Sequence, residues 1–329
     1  MAQLKPGLWI FILDTMKIGI DMMGGDFAPA EALKGIHQYL GETSRHSNLF
    51  LFGDGPTIKT LLPEYGFSAN TFTLVHTAQV IDMNDHPARA LKEKPQSSIS
   101  IGFQLLATGE LDAFISAGNT GAMLVGALYS LKSIEGVLRP AISTIIPKEN
   151  GSTGLLIDVG LNSDCKPEHL SQFAIMGTVY AQSILGIAVP RVALLNIGEE
   201  EGKGNLLAQA TYPLLKENRH INFIGNVEGR DVFLDKADVL VCDGFTGNII
   251  LKLAESLFQI TNEKNINHEY FNRFNFENYG GTPVLGVSKP VIIGHGISKA
   301  KAFKNMILLA EKIIEKDMMQ KLRAELLLQ

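Results

Sequence analysis

The residues of this chain that could do chemistry lie in five loops rich in glycine, asparagine and aspartate. Each loop follows a short apolar run and precedes a segment with helical spacing. Glycine lets a backbone approach a ligand closely, and the first N–H groups of a helix have no partner inside it, so such a loop can hold an anion. The alternative is that each loop is an ordinary turn, in which the glycines only allow the chain to bend. The loops are Met22–Asp26, Ala117–Gly121, Val159–Asp164, Asp243–Gly247 and Gly294–Ser298.

The chemistry that these loops favour is the attack of an anion on an acyl carbon. They carry many backbone amide donors, several asparagines and single lysines. Such groups can position phosphate, stabilise a tetrahedral oxyanion and steady a departing thiolate. The chain has no G-x-G-x-x-G followed by an acidic residue, no Walker A motif and no G-x-S-x-G elbow. Nicotinamide, P-loop and serine-hydrolase chemistry are therefore disfavoured.

The elements that must position these loops alternate between strand and helix. Short β-branched runs such as Val239–Cys242 are followed by helical segments, here from Asn248 onward. This alternation predicts an α/β protein with three layers, α/β/α, and a largely parallel central sheet. The turn at 150–154 predicts a hairpin that joins two antiparallel strands. Because loops at the carboxyl ends of strands bind ligands in such sheets, the five loops are expected to share one pocket.

Size and composition set further limits. The chain has 329 residues, 46% of them hydrophobic, and a formal net charge of −5. Residues 16–310 are expected to form one large catalytic α/β domain with an excursion at 258–282, and residues 311–329 a C-terminal helix. Met16 opens the first convincing strand, so residues 1–15 are interpreted as an upstream extension.

Several classes of protein are excluded by what the chain lacks. No basic run with interleaved aromatic residues points to nucleic acid. The two cysteines, Cys165 and Cys242, have neither metal-ligand nor disulfide-framework spacing, which suits a reducing cytoplasm. No apolar run approaches the roughly 20 residues that a membrane-spanning helix needs.

Five motifs occur in order along the chain: Ile20–Pro29, Ser116–Ala122, Asp164–Leu170, Asn196–Asn205 and Cys242–Asn248. Over about residues 16 to 310 the chain resembles the acyl carrier protein:phosphate acyltransferases of bacterial phospholipid synthesis. The resemblance implies that acyl carrier protein thioester and inorganic phosphate become acyl phosphate and free carrier protein. It also implies a fold similar to phosphotransacetylases and isocitrate-dehydrogenase-like enzymes, and a cytoplasmic homodimer without metal or cofactor. The product would pass to a membrane glycerol-3-phosphate acyltransferase by transient contact, which would bring the protein to the membrane periphery.

This resemblance assigns roles to particular residues. Lys203, between glycines, is expected to neutralise phosphate or the oxyanion; the alternative is a solvated lysine that offsets Glu199–Glu201. Asn248 is expected to donate its amide to the oxyanion, or else to cap a helix. His295 would protonate the thiolate, or else be a structural histidine. The residues assigned to phosphate or acyl phosphate are Gly24, Gly25, Asp26, Gly118, Asn119, Thr120, Gly121, Asp164, Lys166, Thr246 and Gly247.

Three local features qualify the resemblance. The span Thr261–Tyr279 is short and polar, without an apolar stripe, so a dimer or lid contact is expected rather than a membrane-surface helix. Leu161 stands where relatives usually carry a small residue, and either narrows the pocket mouth or packs. Cys165 has no evident base among its neighbours, so direct attack by phosphate is favoured over an acyl-enzyme.

Two other functions fit the same loops. A phosphotransacetylase-type enzyme that uses coenzyme A would share the fold and the anion site. Carrier protein is acidic, so a basic entry patch would favour the first function, and Lys299, Lys301 and Lys304 are candidates for it. A phosphate-sensing protein without catalysis is the third alternative, against which the presence of Lys203 and Asn248 argues.

Overall fold

One sheet forms the centre of the molecule. The structure, a computed structural model, describes residues 15–42 and 47–328. The extension predicted at residues 1–15 therefore lies outside the described residues, apart from Thr15. The eleven strands of the sheet are β1 (Lys17–Asp21), β2 (Asn48–Gly53), β3 (Thr73–His76), β4 (Ala113–Ser116), β5 (Ala141–Pro147), β6 (Thr153–Ile157), β7 (Arg191–Asn196), β8 (Asn222–Glu228), β9 (Val239–Val241), β10 (Thr282–Leu285) and β11 (Val291–Ile293).

Helices connect most of these strands, and local side chains fix their ends. The helix that starts at Ser98 is typical: Ser97 Oγ accepts from Ser100 N at its start, and Gly109 ends it in the left-handed region (φ 83°). The helices of the described residues are α1 (Ala30–Glu42), α2 (Gly55–Leu61), α3 (Pro87–Glu93), α4 (Ser98–Thr108), α5 (Thr120–Ser130), α6 (Pro167–Tyr180), α7 (Leu206–Glu217), α8 (Gly244–Glu263), α9 (Glu269–Asn272), α10 (Ala300–Glu315) and α11 (Met318–Leu327).

The sheet contains two parallel sets of strands that run in opposite directions. The strand order is β3-β2-β1-β4-β11-β10-β5-β6-β9-β7-β8. The first parallel set is β3, β2, β1, β4 and β11, and the second is β6, β9, β7 and β8. Between them, the antiparallel pairings β11–β10, β10–β5 and β5–β6 reverse the strand direction. The carboxyl ends of the two sets therefore lie at opposite edges of the sheet.

Apolar side chains cover both faces of the sheet. On β6, Leu155 and Ile157 belong to one core cluster and Leu156 to the other, because successive side chains of a strand point to opposite faces. The helix α6 contributes Phe173 to the first cluster, and α4 contributes Phe103 to the second. Helices thus pack on both sides of a central sheet, which is the predicted three-layer arrangement.

The predicted fold class is confirmed, with local differences. Seven of the ten strand pairings are parallel, and β5 and β6 form the predicted antiparallel hairpin. The strand β10 was not predicted, since it is short, contains Pro283 and follows a polar segment. Instead of one C-terminal helix at 311–329, the structure has α10 and α11, separated at Asp317, whose φ of 49° is left-handed and interrupts the helix.

The segment between α8 and β10 folds back over the β5–β6 hairpin. Arg273 Nη1 donates to Lys148 O at 2.9 Å, and Tyr270 OH donates to Pro147 O at 3.4 Å. From the other side, Asn305 Nδ2 of α10 donates to Glu277 O at 2.8 Å. Residues 264–281 therefore form a cover, held at both ends. In the described part of the chain, no helix combines the length and apolar character that crossing a bilayer requires.

Candidate active site

The turns after β1, β4 and β11 meet at the edge where the first parallel set ends. The backbone N–H of Asp26 donates to Gly296 O at 2.8 Å. A Cβ added to Gly24 would lie 2.6 Å from Gly118 N, so glycine at position 24 is what allows two turns to touch. The structure thus brings three predicted groups together here: residues 24–26, residues 118–121 and the segment around His295.

A buried carboxylate, Asp21, ties two of these turns together. Ser116 Oγ donates to Asp21 Oδ2 at 2.6 Å, and Met23 N donates to Oδ1 at 2.9 Å. Burial raises the pKa of Asp21, and these hydrogen bonds oppose the rise. Sequence reasoning did not assign Asp21 to the site. The signal was present, since an acidic residue closes an apolar strand directly before paired glycines.

The side-chain amide of Asn119 is hydrogen-bonded to other protein groups through both its oxygen and its nitrogen. Its Oδ1 accepts from Ala122 N at 2.9 Å and so caps α5. Its Nδ2 donates to Asp82 O at 2.9 Å and to Asp85 O at 3.1 Å, which fixes the segment before α3. The amide predicted to face a ligand is therefore engaged in holding a loop. The next residue, Thr120, is exposed and begins α5.

At the opposite edge of the sheet, a side chain of the protein caps the helix start in the turn after β9. The helix α8 begins at Gly244, four residues before the predicted start at Asn248, and its N-cap is Asp243, whose Oδ1 accepts from Thr246 N at 2.9 Å. The N-cap alternative for Asn248 is therefore wrong. The carboxylate of Asp243 occupies the position at the helix N-terminus that the sequence predicts for a bound anion.

Gly247 serves a close contact between backbones. A Cβ at this position would lie 1.8 Å from Asp158 O, in the loop after β6. Asp158 is fully buried, and its Oδ2 accepts from Asn162 N at 2.7 Å. Gly247 therefore lets α8 pack directly on the loop after β6, whose conformation is stabilised by the buried carboxylate of Asp158.

Groups from both edges line one cavity of about 340 Å³, here called the central cavity. Its floor is made by β5 and β10, in the middle of the strand order. Thr120 and His295 reach it from the first parallel set, and Asn248, Lys252 and Glu255 reach it from α8. Asn248 and Lys252 lie four residues apart in a helix, so they present the same face to the cavity.

Three charged or titratable groups meet at one end of the central cavity. Lys252 Nζ lies 2.7 Å from Glu255 Oε2, and His295 Nε2 lies 3.9 Å from the same oxygen. The His295 ring faces that of Phe276, with centroids 5.0 Å apart. Two buried polar atoms, His295 Nδ1 and Ser143 Oγ, have no hydrogen-bond partner among the described residues.

Asn248 keeps donor capacity for a ligand in the central cavity. Its Nδ2 donates to Val159 O at 3.1 Å, which uses one of the two hydrogens of that amide. Sequence reasoning identified Asn248 and His295 but missed Ser143, Lys252 and Glu255. The four-residue spacing from Asn248 could have identified Lys252. Nothing local in the sequence marks Ser143, because its position depends on strand pairing.

The remaining predicted residues lie outside the central cavity. Thr246 lines a second cavity of about 420 Å³, here called the side cavity. Lys203 is on the loop beside it, half exposed, with its Nζ 3.9 Å from Glu200 Oε1. Asp164 and Lys166 are exposed before α6. The five loops therefore do not all share one pocket. Thr120, Val159 and His295 bring three of them to the central cavity, whereas Met22–Asp26 and Asp243–Gly247 do not line it.

Neither cysteine is a poised nucleophile. Burial, together with the carboxylates of Asp158 and Asp243, raises the pKa of Cys165 to about 12. Burial also raises the pKa of Cys242. Both are thus protonated thiols at neutral pH, and the thiolate is the nucleophilic form. Within the described ranges, no group of three or more His, Cys, Asp or Glu side chains could hold a metal ion.

Solved structures of other proteins share this fold. A phosphotransacetylase from Streptococcus pyogenes superposes with a TM-score of 0.67 at 19% identity, covering 92% of this chain and 94% of that chain. A branched-chain phosphotransacylase from Enterococcus faecalis gives a TM-score of 0.60 at 16% identity, with coverage of 91% and 98%. The chain therefore has the fold of the phosphotransacylases.

Sequence similarity identifies the family. The model of a family described as "Fatty acid synthesis protein" matches residues 16–321. A phosphate acyltransferase from Dictyoglomus turgidum is 44% identical over 330 residues, covering 93% of this chain and 96% of that protein. One from Thermoanaerobacterium thermosaccharolyticum is 43% identical, covering 94% and 97%. The chain belongs to this family, and it is an acyltransferase of fatty acid synthesis, as the five motifs predicted.

Proposed function

We propose that this acyltransferase moves the acyl group of an acyl carrier protein thioester to inorganic phosphate in the central cavity. The observation that carries the proposal is the convergence of Thr120 and His295 with Asn248 and Lys252 around one cavity. The names of the similar chains, phosphate acyltransferases, support phosphate as the acceptor. The products are acyl phosphate and free carrier protein.

Phosphate binds between the start of α5 and Lys252. Thr120 is the first residue of α5, and the N-terminus of a helix carries partial positive charge and unpaired N–H groups. Lys252 supplies a full positive charge from the opposite wall and is steadied by Glu255 at 2.7 Å. Held in this way, a phosphate oxygen faces the acyl carbon without further activation.

The reaction then needs an oxyanion donor and an acid. An oxygen of hydrogen phosphate forms a bond to the thioester carbon, and the second amide hydrogen of Asn248 donates to the oxyanion. The oxyanion collapses, the C–S bond breaks and sulfur leaves with the bonding pair. His295 gives that sulfur a proton, and Glu255 Oε2 lies 3.9 Å from the His295 Nε2 that carries it. The acidic proton of the new acyl phosphate restores His295.

Lys203 is proposed as a second cation at the anionic substrates. Its side chain is half exposed, and its only close carboxylate among the described residues is Glu200, at 3.9 Å. Its neighbour Gly204 has a φ of 99°, so the loop turns there as only glycine does readily. The backbone of Lys203 is held by Glu200 O and Asn196 Nδ2, so only its half-exposed side chain can turn toward an anion in the side cavity.

Acyl carrier protein as the donor is supported by charge at the cover. Lys299 and Lys301 are exposed at the start of α10, where Lys301 Nζ donates to Asn278 Oδ1 of the cover. Lys304 contributes less, because its Nζ is paired with Glu42 at 2.8 Å. An acidic donor would be attracted to the charges of Lys299 and Lys301. Coenzyme A is also anionic, so an assay must separate the two donors.

A second copy of the chain is proposed to cover α8. Five large apolar side chains on this helix are exposed, although a water-facing helix is normally polar. Two copies could bury the stripe against each other around a twofold axis. The stripe consists of Phe245, Ile249, Leu253, Leu257 and Ile260, between 39% and 64% exposed.

The product is proposed to pass by transient contact to a membrane glycerol-3-phosphate acyltransferase. The family description places this chain in fatty acid synthesis, and an acyl phosphate is an activated acyl donor suited to such a step. The protein would then work in the cytoplasm, close to the membrane surface.

One assay tests the proposed reaction. The purified protein is incubated with phosphate and either acyl carrier protein thioester or acyl coenzyme A, and hydroxylamine traps acyl phosphate as the hydroxamate. We expect phosphate-dependent hydroxamate from the carrier protein thioester, and a strong loss with His295→Gln. Faster reaction with coenzyme A would favour the phosphotransacetylase-type function. No hydroxamate from either donor would refute phosphate acyl transfer.

A further inference from the structure

A narrow apolar cavity of about 50 Å³ continues from the central cavity between β5 and α8. The two cavities adjoin each other, because six residues line both of them: Thr144, Ile145, Leu251, Glu255, Phe276 and Tyr279. This apolar slot is closed by the cover on one side and by the loop after β8 on the other. Its deeper lining includes Ile146, Leu156, Ile250, Ala254, Phe233 and Phe274.

We propose that the apolar slot receives the end of a fatty acyl chain, and that Phe233 and Phe274 set the longest chain that fits. The inference rests on the proposed function, which places the acyl carbonyl beside His295 and Asn248. From there, a hydrocarbon tail reaches the slot past Thr144 and Tyr279, which line both cavities. Glu255 lies where the two cavities join, but its carboxylate faces Lys252 and His295.

The end wall of the slot is held firmly. The rings of Phe233 and Phe274 meet edge to face, with centroids 5.1 Å apart. The cover behind Phe274 is fixed by Arg273, which donates to Lys148 O and Ser152 O in the β5–β6 hairpin. On the other side, Phe233 O accepts from Glu149 N of the same hairpin at 2.9 Å. Both aromatic walls are therefore anchored to one hairpin.

The two cavities together match the shape of a fatty acyl group. They extend along β5 from Ile142 to Pro147, five steps of about 3.3 Å or roughly 16 Å. The end at His295 is polar and the end at Phe274 is apolar. Each methylene that leaves water strengthens binding roughly fourfold. Affinity should therefore rise with chain length until the tail reaches Phe274, and then stop rising.

The test uses alkyl phosphates, which resemble the acyl phosphate product but cannot transfer an acyl group. Calorimetry measures the binding of butyl, octyl, dodecyl and hexadecyl phosphate to the whole protein. In Ala254→Phe, which fills the slot, dodecyl phosphate should bind at least tenfold more weakly while butyl phosphate is unchanged. In Phe274→Ala, which opens the end wall, the rise in affinity should continue to longer chains.

Phe271→Ala is the matched control, because Phe271 lies in the same cover but lines neither cavity. Its chain-length series should equal that of the unmodified protein. The inference is overturned if the unmodified protein shows no chain-length dependence, or if Ala254→Phe and Phe274→Ala both leave the series unchanged. Thermal melting verifies that each variant is folded.

The same variants in the hydroxylamine assay separate this inference from the proposed function. If the binding series changes as expected but no hydroxamate forms, the slot is supported and phosphate acyl transfer is refuted. If hydroxamate forms and the binding series does not change, phosphate acyl transfer is supported and the slot is refuted.

Discussion

Two asparagines that were both expected to bind the substrates, Asn119 and Asn248, differ because of their surroundings. Asn119 gives its oxygen to Ala122 N and its nitrogen to carbonyls of the segment 82–85. Asn248 uses one hydrogen on Val159 O and faces the central cavity with the rest of its amide. At the scale of single residues, the chemistry depends on which polar atoms the fold leaves unpaired.

This difference gives the first prediction. Asn248→Ala should lower kcat by roughly tenfold to a thousandfold, the scale of losing one oxyanion donor, with little change in Tm. Asn119→Ala should instead lower stability by about 1 kcal/mol or more, because a helix cap is lost. Steady-state kinetics and thermal melting measure both. Equal rate losses in the two variants, without any change in Tm, would contradict these assignments.

The two lysines form a second pair. Lys203→Ala should lower turnover by roughly tenfold to a thousandfold if it neutralises developing charge. Lys252→Ala should raise the KM for phosphate about tenfold, because it removes one charge from the anion site. Initial rates over a range of phosphate concentrations separate these effects. Unchanged turnover in Lys203→Ala would contradict the role proposed for Lys203. Lys252 would then remain as the cation that binds phosphate.

Cys165→Ser should keep turnover within about twofold, since its pKa of about 12 leaves no thiolate at neutral pH. Hydroxamate formation measures turnover, and circular dichroism verifies the fold. Loss of activity in a folded Cys165→Ser protein would replace direct attack by an acyl-enzyme mechanism.

At the scale of elements, one strand in each parallel set ends in a buried carboxylate that organises the next loop. Asp21 does this after β1, and Asp158 does it after β6, where its Oδ1 also accepts from Ile142 N of β5. The β5–β6 hairpin is anchored separately by Lys148, which is only 2% exposed and pairs with Asp238 at 2.6 Å and Asp235 at 2.9 Å. These contacts hold the walls of the central cavity.

The ion pairs of Lys148 predict a pH-dependent stability. Burial opposes ionisation of Asp238, but hydrogen bonds from Arg191 and Lys148 hold its pKa well below the usual range. A folded pKa below the unfolded value stabilises the protein above the unfolded pKa, and this contribution is lost as the pH falls through the folded pKa. Asp238→Asn should therefore lower the free energy of unfolding by about 3 kcal/mol at neutral pH, because the buried Lys148 loses one of its two carboxylate partners.

Urea unfolding at neutral pH and at progressively lower pH measures this effect. The difference in the free energy of unfolding should shrink as the wild-type carboxyl becomes protonated. Glu93→Gln is the control, since it removes an exposed pair with Arg89 and should change stability by less than about 1 kcal/mol. An equal difference at every pH would rule out the ion pair as the cause.

At the scale of the whole molecule, the reversal of strand direction at β10 and β5 creates the site. The central cavity lies over these two strands and receives Thr120 and His295 from one set and Asn248 from the other. A sheet with all its strands parallel would have placed every loop at one edge. The opposed sets instead put the N-terminus of α5 and the polar side chains of α8 on two walls of a cleft.

The exposed stripe of α8 predicts a dimer. Leu253→Lys should convert the protein to a monomer at micromolar concentration, because a charge would be buried in the apolar interface. Leu138→Lys is a matched control, as both leucines are 57% exposed and Leu138 lies outside the stripe. Light scattering coupled to size-exclusion chromatography gives the mass. A monomeric wild type, or a Leu253→Lys protein that stays dimeric, would contradict this interface.

The sequence by itself determined most of the elements and the family. The run Val239–Cys242 contains β9, as its apolar pattern predicts, and the turn predicted at 150–154 joins the antiparallel strands β5 and β6. These features follow from neighbouring residues, whose periodicity and turn chemistry act locally. The order of the five motifs likewise lies wholly in the chain, and it is sufficient to identify the acyltransferase family.

Only the tertiary structure decided which residues face each other. Ser143 and Glu255 belong to the central cavity because β5 pairs with β10 and β6, and no local pattern specifies that pairing. Thr246 and Asn248, two residues apart in α8, point to nearly opposite sides of that helix and line different cavities. Strand direction is set by contacts between distant segments, so the sequence identified the chemical groups, and the fold determined which of them can act on one substrate.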